Sequence, residues 1–163
     1  RMGDARRNRH PRPPARRGRK RGTCTQGLGR SRGGFSTKIH LIADAHGNPV
    51  DFVLSPGQMH ESLQAVGLLV GVEAKCVLGD RAYDGAPIRD AIAEMGAEAV
   101  IPPHPCRKAP AAYDAHLYRA RHAIENLFAK LKQYLSLATR YDKTMGNYSA
   151  MVAIACMLTW LRI

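Results

Sequence analysis

Residues 35–55 constrain the fold of this chain more than any other stretch. Phe35-Ser36-Thr37-Lys38-Ile39-His40-Leu41-Ile42-Ala43-Asp44 alternates through Phe35, Thr37, Ile39 and Leu41, the period of a strand with one face in a core. Gly47-Asn48-Pro49 marks a turn, and Val50-Asp51-Phe52-Val53-Leu54-Ser55 returns as a second strand, ended by Pro56-Gly57. The pair predicts an antiparallel hairpin. Downstream, strands and helices alternate. A helix is expected over 60–70, with Leu63, Val66, Leu69 and Val70 inward, then a short buried strand at 75–79. A helix over 84–95 tolerates Pro87 in its first turn, and a strand at 98–101 is stopped by Pro102-Pro103. A long helix over 114–137 and a last one over 146–162 complete the order. No internal repeat is present. A hairpin feeding strand–helix alternation predicts an α/β fold, a mixed sheet with flanking helices.

The 163 residues suffice for one domain with a real core, and a 45% hydrophobic content argues against wholesale disorder. The net charge of +12 is confined to one end. Residues 1–40 hold thirteen Lys and Arg against the single acid Asp4, whereas the remainder balances twelve bases with twelve acids. Residues 1–34 show no hydrophobic period. Runs such as Arg16-Arg17-Gly18-Arg19-Lys20-Arg21 are expected to be extended or disordered, and Gly29-Arg30-Ser31-Arg32-Gly33-Gly34 a flexible basic loop. The chain therefore divides into a basic arm, 1–34, and a folded body, 35–163. A basic arm on a neutral body points to a polyanion, because Lys and Arg contacts to phosphate release counterions whatever the base sequence. The alternative is a solvated tail with no partner.

Other classes fit poorly. Cys24, Cys76, Cys106 and Cys156 show no regular spacing, which suits a reducing cytosol rather than a disulfide framework. His104, Cys106, His116 and His122 offer no familiar zinc spacing. Arg1-Met2-Gly3-Asp4 lacks the apolar core of a signal peptide, and the apolar run 148–163 falls short of the roughly 20 residues that cross a bilayer.

Two features carry chemistry. On a helix turning about 100° per residue, Tyr118, Arg121, Glu125 and Lys132 fall within roughly 60° of one another. An apolar stripe of Leu117, Ile124, Leu127, Phe128, Leu131 and Leu135 lies beside them. One carboxylate thus stands among two cations and a phenol, a setting for a metal ion and a phosphate. A plain helix surface carrying an i,i+4 Arg121–Glu125 pair is the simpler alternative. The second feature is Asp80 in Gly79-Asp80-Arg81-Ala82-Tyr83-Asp84, at the C-terminal end of a short strand, where α/β folds place reacting groups. It could equally be a helix cap or turn residue.

These motifs, with Gly29-Arg30-Ser31-Arg32-Gly33-Gly34-Phe35-Ser36-Thr37-Lys38-Ile39-His40, Pro56-Gly57-Gln58 and Arg140-Tyr141-Asp142-Lys143, resemble the C-terminal part of a DDE insertion-sequence transposase, in the branch marked by a Tyr-Arg-Glu-Lys helix. The resemblance covers residues 29–162. It implies a ribonuclease-H-like fold and metal-dependent DNA cleavage and strand transfer, with divalent ions, usually magnesium, held by three carboxylates. Asp80 resembles the second of these catalytic, metal-binding acids and Glu125 the third. Tyr118, Arg121 and Lys132 resemble the accessory DNA- and phosphate-binding residues. Implied partners are double-stranded DNA, at the element ends and the target, an upstream-frame transposase segment and a second copy of the chain. No membrane is implied, and the setting is the bacterial cytoplasm, at the nucleoid when DNA is bound.

The N-terminus departs from the family pattern. The first acid is expected on a central apolar strand upstream of the basic loop, between the hairpin and the 75–79 strand. Asp4 is the candidate for that acid, but no apolar strand precedes it, and Arg6-Arg7-Asn8-Arg9 lacks the residues of a buried strand. The expectation is a fold lacking its first central strand, from a truncated or frameshifted reading, and inactive alone. The alternative function is a non-catalytic nucleic-acid-binding remnant acting through the Arg-rich arm.

Overall fold

A computed structural model describes residues 6–9, 26–31, 34–107 and 109–161, with backbone alone for 6–9, Ser31 and Leu63. The expected hairpin is its organising element: β3 (Gly34–Ala43) pairs antiparallel with β4 (Pro49–Pro56). The turn between them is fixed by Asp44, whose carboxylate accepts from the N–H groups of His46 and Asn48 and from the Asn48 side chain.

The N-terminal stretch contributes more than the sequence suggests. β1 (Arg6–Arg9) pairs antiparallel with residues 36–39 of β3. The ladder uses only main-chain groups, so a strand edge can recruit a segment that has no apolar period. β2 (Gly29–Ser31) pairs with residues 34–36, so the expected flexible loop is partly strand. It occupies the edge of β3 opposite β1, past the end of β4. Only glycine fits at position 29, where an added Cβ would lie 2.8 Å from the Gly57 nitrogen and closer still to the Gln58 side chain.

β3 is buried on both faces, where alternation predicted one. Ile39, Leu41 and Ala43 enter one core with Ile124, Leu127, Phe128, Leu131, Tyr148 and Val152. Ile42 enters a second core with Ala65, Leu68, Leu69, Val77, Ile88 and Ile92. On this second face Lys38 and His40 are also buried. Burying such groups is costly without partners. Lys38 Nζ donates to the Met59 carbonyl at 2.7 Å and lies 3.0 Å from Glu61, and His40 Nε2 bonds the Ser55 hydroxyl at 2.8 Å. Burial, with the nearby Lys38 charge, lowers the His40 pKa to about 4 despite the opposing effect of Glu61.

α1 (Ser62–Leu69) follows the hairpin. Its inward residues are Ala65, Leu68 and Leu69, whereas Val66 and Val70, expected inside, are exposed. The Leu63 side chain lies outside the described residues. β5 (Cys76–Leu78), α2 (Ala86–Glu94) and β6 (Glu98–Val100) form a βαβ unit with the strands parallel, as strand–helix alternation predicted. β5 and β6 make a separate two-stranded sheet, and no strand among the described residues joins it to the hairpin.

The long helix expected over 114–137 is segmented. Asp114 caps α3 (Ala115–Tyr118), accepting from the N–H groups of His116 and Leu117. A 3₁₀ turn at Arg119–Arg121 leads into α4 (His122–Leu131), which Lys132 ends. The backbone extends at Tyr134 before α5 (Leu135–Thr139). This break lets Leu137 enter the first core and turns Leu135 out to 63% exposure, although the helical stripe placed Leu135 inside. Leu117, also assigned to the stripe, is exposed on α3.

After α5 the chain turns through Arg140, whose φ of 40° is left-handed. α6 (Met145–Trp160), capped by Thr144, closes the first core. Trp160 Nε1 donates to the Pro49 carbonyl at 2.7 Å, tying the end of α6 to the start of β4. No helix among the described residues is long and apolar enough to cross a membrane.

Candidate active site

Asp80 follows β5 and caps the 3₁₀ turn Arg81–Tyr83, its Oδ1 accepting from the Arg81 N–H at 2.8 Å. The turn is held from below by Tyr83, buried in the second core. The capping and functional readings of Asp80 are compatible, because one oxygen caps the turn while the other faces Arg121. Arg121 Nη1 lies 3.7 Å from Asp80 Oδ2, and Arg121 Nη2 donates to Glu125 Oε1 at 2.7 Å. One guanidinium therefore draws together two carboxylates supplied by separate elements, the β5 end and α4. Their side chains are 30% and 34% exposed, enough for solvent and a ligand to reach them.

The helix phase follows from packing. Ile124, Leu127, Phe128 and Leu131 bury one side of α4, which leaves Glu125 at the edge of that face. Arg121 sits at the junction of the 3₁₀ turn and α4, its guanidinium 5.5 Å from the centre of the Tyr118 ring. The Tyr118 ring in turn meets Tyr113 edge-on at 5.7 Å between centres. Burial and the Asp80 charge raise the Tyr118 hydroxyl pKa, against the lowering effect of Arg121 and Arg81. Tyr118 thus stays protonated within electrostatic reach of Asp80.

Lys132 is exposed at the C-terminal end of α4. Seven residues beyond Glu125, it stands about 10 Å further along the helix, so it extends the basic face and does not join the carboxylates. Asp4 lies outside the described residues. Among the described residues no group of three or more His, Cys, Asp or Glu could hold a metal ion. His104, Cys106, His116 and His122 form no such group either. The hard oxygen donors that suit a divalent ion are Asp80 and Glu125, and a complete set needs further ligands.

Two anchoring clusters were not apparent in the sequence. Asp84, at the end of the 3₁₀ turn, has its carboxylate enclosed by donors from two segments. It accepts from Arg89 Nε at 2.7 Å, from Arg107 Nη1 at 2.6 Å and from the His104 N–H at 2.6 Å. Burial pushes its pKa up, but these hydrogen bonds and the two arginine charges prevail and hold it below the usual carboxylate value. Arg89 also donates to the Ile101 carbonyl, so the turn bearing Asp80 is fastened to the segment after β6. A cleft of about 320 Å³ at this corner is lined by Asp84, Ala86, His104, Cys106 and Arg107.

The second cluster centres on Arg140, which donates to the carbonyls of Gln26 and Gly27 and to the Thr37 hydroxyl, with its guanidinium 4.8 Å from the Tyr148 ring centre. It fastens the segment entering β2 to the α5–α6 corner. The motif Arg140-Tyr141-Asp142-Lys143 signalled the position but not this task.

The Transposase DDE domain family matches residues 4–160. A Brucella ovis protein named for the transposase of insertion sequence element IS6501 is 38% identical over 130 residues, covering 78% of this chain and all of the relative. A Burkholderia cepacia protein named for the transposase of element IS402 is 24% identical over 134 residues, covering 75% of this chain and 61% of the relative.

Proposed function

This chain belongs to the DDE transposase domain family, and we propose that it carries out metal-dependent DNA cleavage and strand transfer for a bacterial insertion sequence. The observation that supports this reading is the convergence of Asp80 and Glu125 on one guanidinium at an accessible edge of the fold. A ribonuclease-H-like arrangement accounts for the hairpin, the βαβ unit and the helical layer, with β1, on the β3 edge opposite β4, in the central position, which favours an active chain over the inactive fragment expected from the sequence.

In this reading Asp80 and Glu125 hold magnesium together with a third acid, for which Asp4 is the candidate in this sequence. A metal held there would supply activation of a water or a DNA 3′-hydroxyl and stabilisation of the leaving oxygen. The chain's own residues place the substrate. Lys132 and the exposed Arg81 and Arg119 contact DNA phosphates, a sequence-independent attraction that falls with salt. Tyr118, within electrostatic reach of Asp80, offers a ring for base stacking and a hydroxyl for a phosphate oxygen.

The test is incubation of the purified chain with magnesium and a supercoiled plasmid carrying the genomic flanks of its coding sequence. Nicking or joining that disappears in Asp80→Asn and Glu125→Gln is the expected result. Loss in Asp4→Asn would add the third acid. Salt-sensitive DNA binding without any magnesium-dependent chemistry would instead favour the non-catalytic alternative, and cleavage that survives both substitutions would overturn the assignment.

A further inference from the structure

The Asp80–Glu125 site contains its own cation. Arg121 reaches both carboxylates, yet it serves them unequally: Nη2 makes a 2.7 Å hydrogen bond to Glu125, whereas Nη1 stands 3.7 Å from Asp80. Nη1 is buried and makes no hydrogen bond. A buried N–H without an acceptor is unfavourable, so the half-made bridge is poised for exchange. The local backbone adds a second indication. Arg121 ends a 3₁₀ turn set between two α-helical segments, a departure from regular winding of the kind found at hinges. The Tyr118 face, 5.5 Å away, offers the guanidinium a resting place that needs no carboxylate.

We propose that Arg121 is a displaceable internal counterion of the Asp80–Glu125 pair, which a divalent cation must drive off and which is then released to a DNA phosphate. The inference rests on the reading of Asp80 and Glu125 as metal-holding acids. Two positive species cannot share the same carboxylate oxygens at full strength, so metal affinity and the Arg121 bridge oppose one another. Binding a phosphate draws the guanidinium away from the acids, so DNA and metal favour each other's entry through one side chain. Arg121 thus opposes metal binding in the absence of DNA and contacts a phosphate in its presence.

The test uses manganese ion as the probe on the full chain, with free manganese read by its electron paramagnetic resonance signal at low salt. Arg121→Gln keeps a polar planar group but no charge, and is expected to tighten manganese binding by about threefold to tenfold. Arg121→Lys keeps the charge but has one nitrogen for two acids, and is expected to fall between the two. This graded pair keeps the test open if one variant folds poorly. Thermal midpoints and circular dichroism identify variants whose fold is intact. Unchanged or weaker manganese affinity in folded Arg121 variants, with binding still abolished by Glu125→Gln and Asp80→Asn, overturns the counterion role alone. Absence of any binding that depends on Asp80 and Glu125 overturns both this role and the metal reading beneath it. A further readout is DNA-dependent: duplex DNA should tighten manganese binding to the unmodified chain and lose that effect in Arg121→Gln.

Discussion

Asp84, in the connection between β5 and α2, and Arg107, in the loop after β6, meet at 2.6 Å, with the carboxylate fully covered and the guanidinium at its mouth. Arg89 shares the same oxygen at 2.7 Å. Asp84→Asn keeps the shape but removes the charge that both arginines face. Charge-assisted hydrogen bonds of this kind contribute about 1.5–3 kcal/mol, so the substitution should lower stability by roughly that amount in urea denaturation. A loss below about 0.5 kcal/mol would show that the buried charge does not hold this corner together. The folded-state pKa of Asp84 is depressed, so its contribution is complete above the unfolded value near 3.9 and is lost as pH falls through the lower folded value.

His40 behaves in the opposite sense to an exposed histidine. Its folded pKa of about 4 lies below the ordinary 6.5, so the unfolded chain binds the extra proton first. Its effect is a loss of stability as pH falls from 6.5 to 4, with full stability above 6.5. The shift sets an upper bound of about 3 kcal/mol over that window. Denaturation at pH 7 and pH 4.5 should show a difference that shrinks in His40→Gln, measured against the same pair of conditions.

Glu125→Gln separates stability from chemistry. The Arg121–Glu125 pair is an i,i+4 pair on a partly exposed helix, worth about 0.5 kcal/mol. Thermal unfolding should therefore change by only a degree or two, while magnesium-dependent nicking is abolished. A large fall in the midpoint would mark Glu125 as structural.

Lys132→Ala should weaken DNA binding uniformly across sequences. One lost phosphate contact reduces the slope of log affinity against log salt by about 1. Manganese affinity should not change, because Lys132 stands apart from the carboxylates along the helix. Fluorescence anisotropy over a salt series measures the first effect.

Arg140→Ala removes three hydrogen bonds and the contact with Tyr148. A cost of about 2–4 kcal/mol is expected. The loss should be accompanied by faster amide exchange across residues 26–31, which Arg140 fastens. Arg140→Gly relieves the left-handed backbone but leaves the same acceptors without a donor, so it should recover only about 1 kcal/mol of the loss.

The hairpin and the βαβ unit were legible because each is a local pattern: alternation, a Gly-Asn-Pro turn and a Pro-Pro stop. The meeting of Asp80 with Glu125 was not local. Each residue had a simpler explanation, and only resemblance to a family joined them before the fold placed Arg121 between. The break after Lys132 carried no glycine or proline. It follows from the demand of Leu137 for the core, a tertiary effect that overrides helical propensity. The tasks of Asp84 and Arg140 were not legible because their partners lie in distant segments, and a single charged residue in a motif does not announce what it will hold. The strand at Arg6–Arg9 went unforeseen because main-chain pairing leaves no mark in side-chain pattern.

The only tryptophan of the chain gives the molecule an optical gauge. Trp160 lies half in solvent at the end of α6, with its indole N–H held by the Pro49 carbonyl at the turn of the hairpin. Indole emission is sensitive to that bond and to the surrounding water. Detachment of the last helix from the sheet would therefore change the colour of the emission without any label. The Asp80–Glu125 edge is built from other residues, so this signal reports the closure of the first core separately from events there.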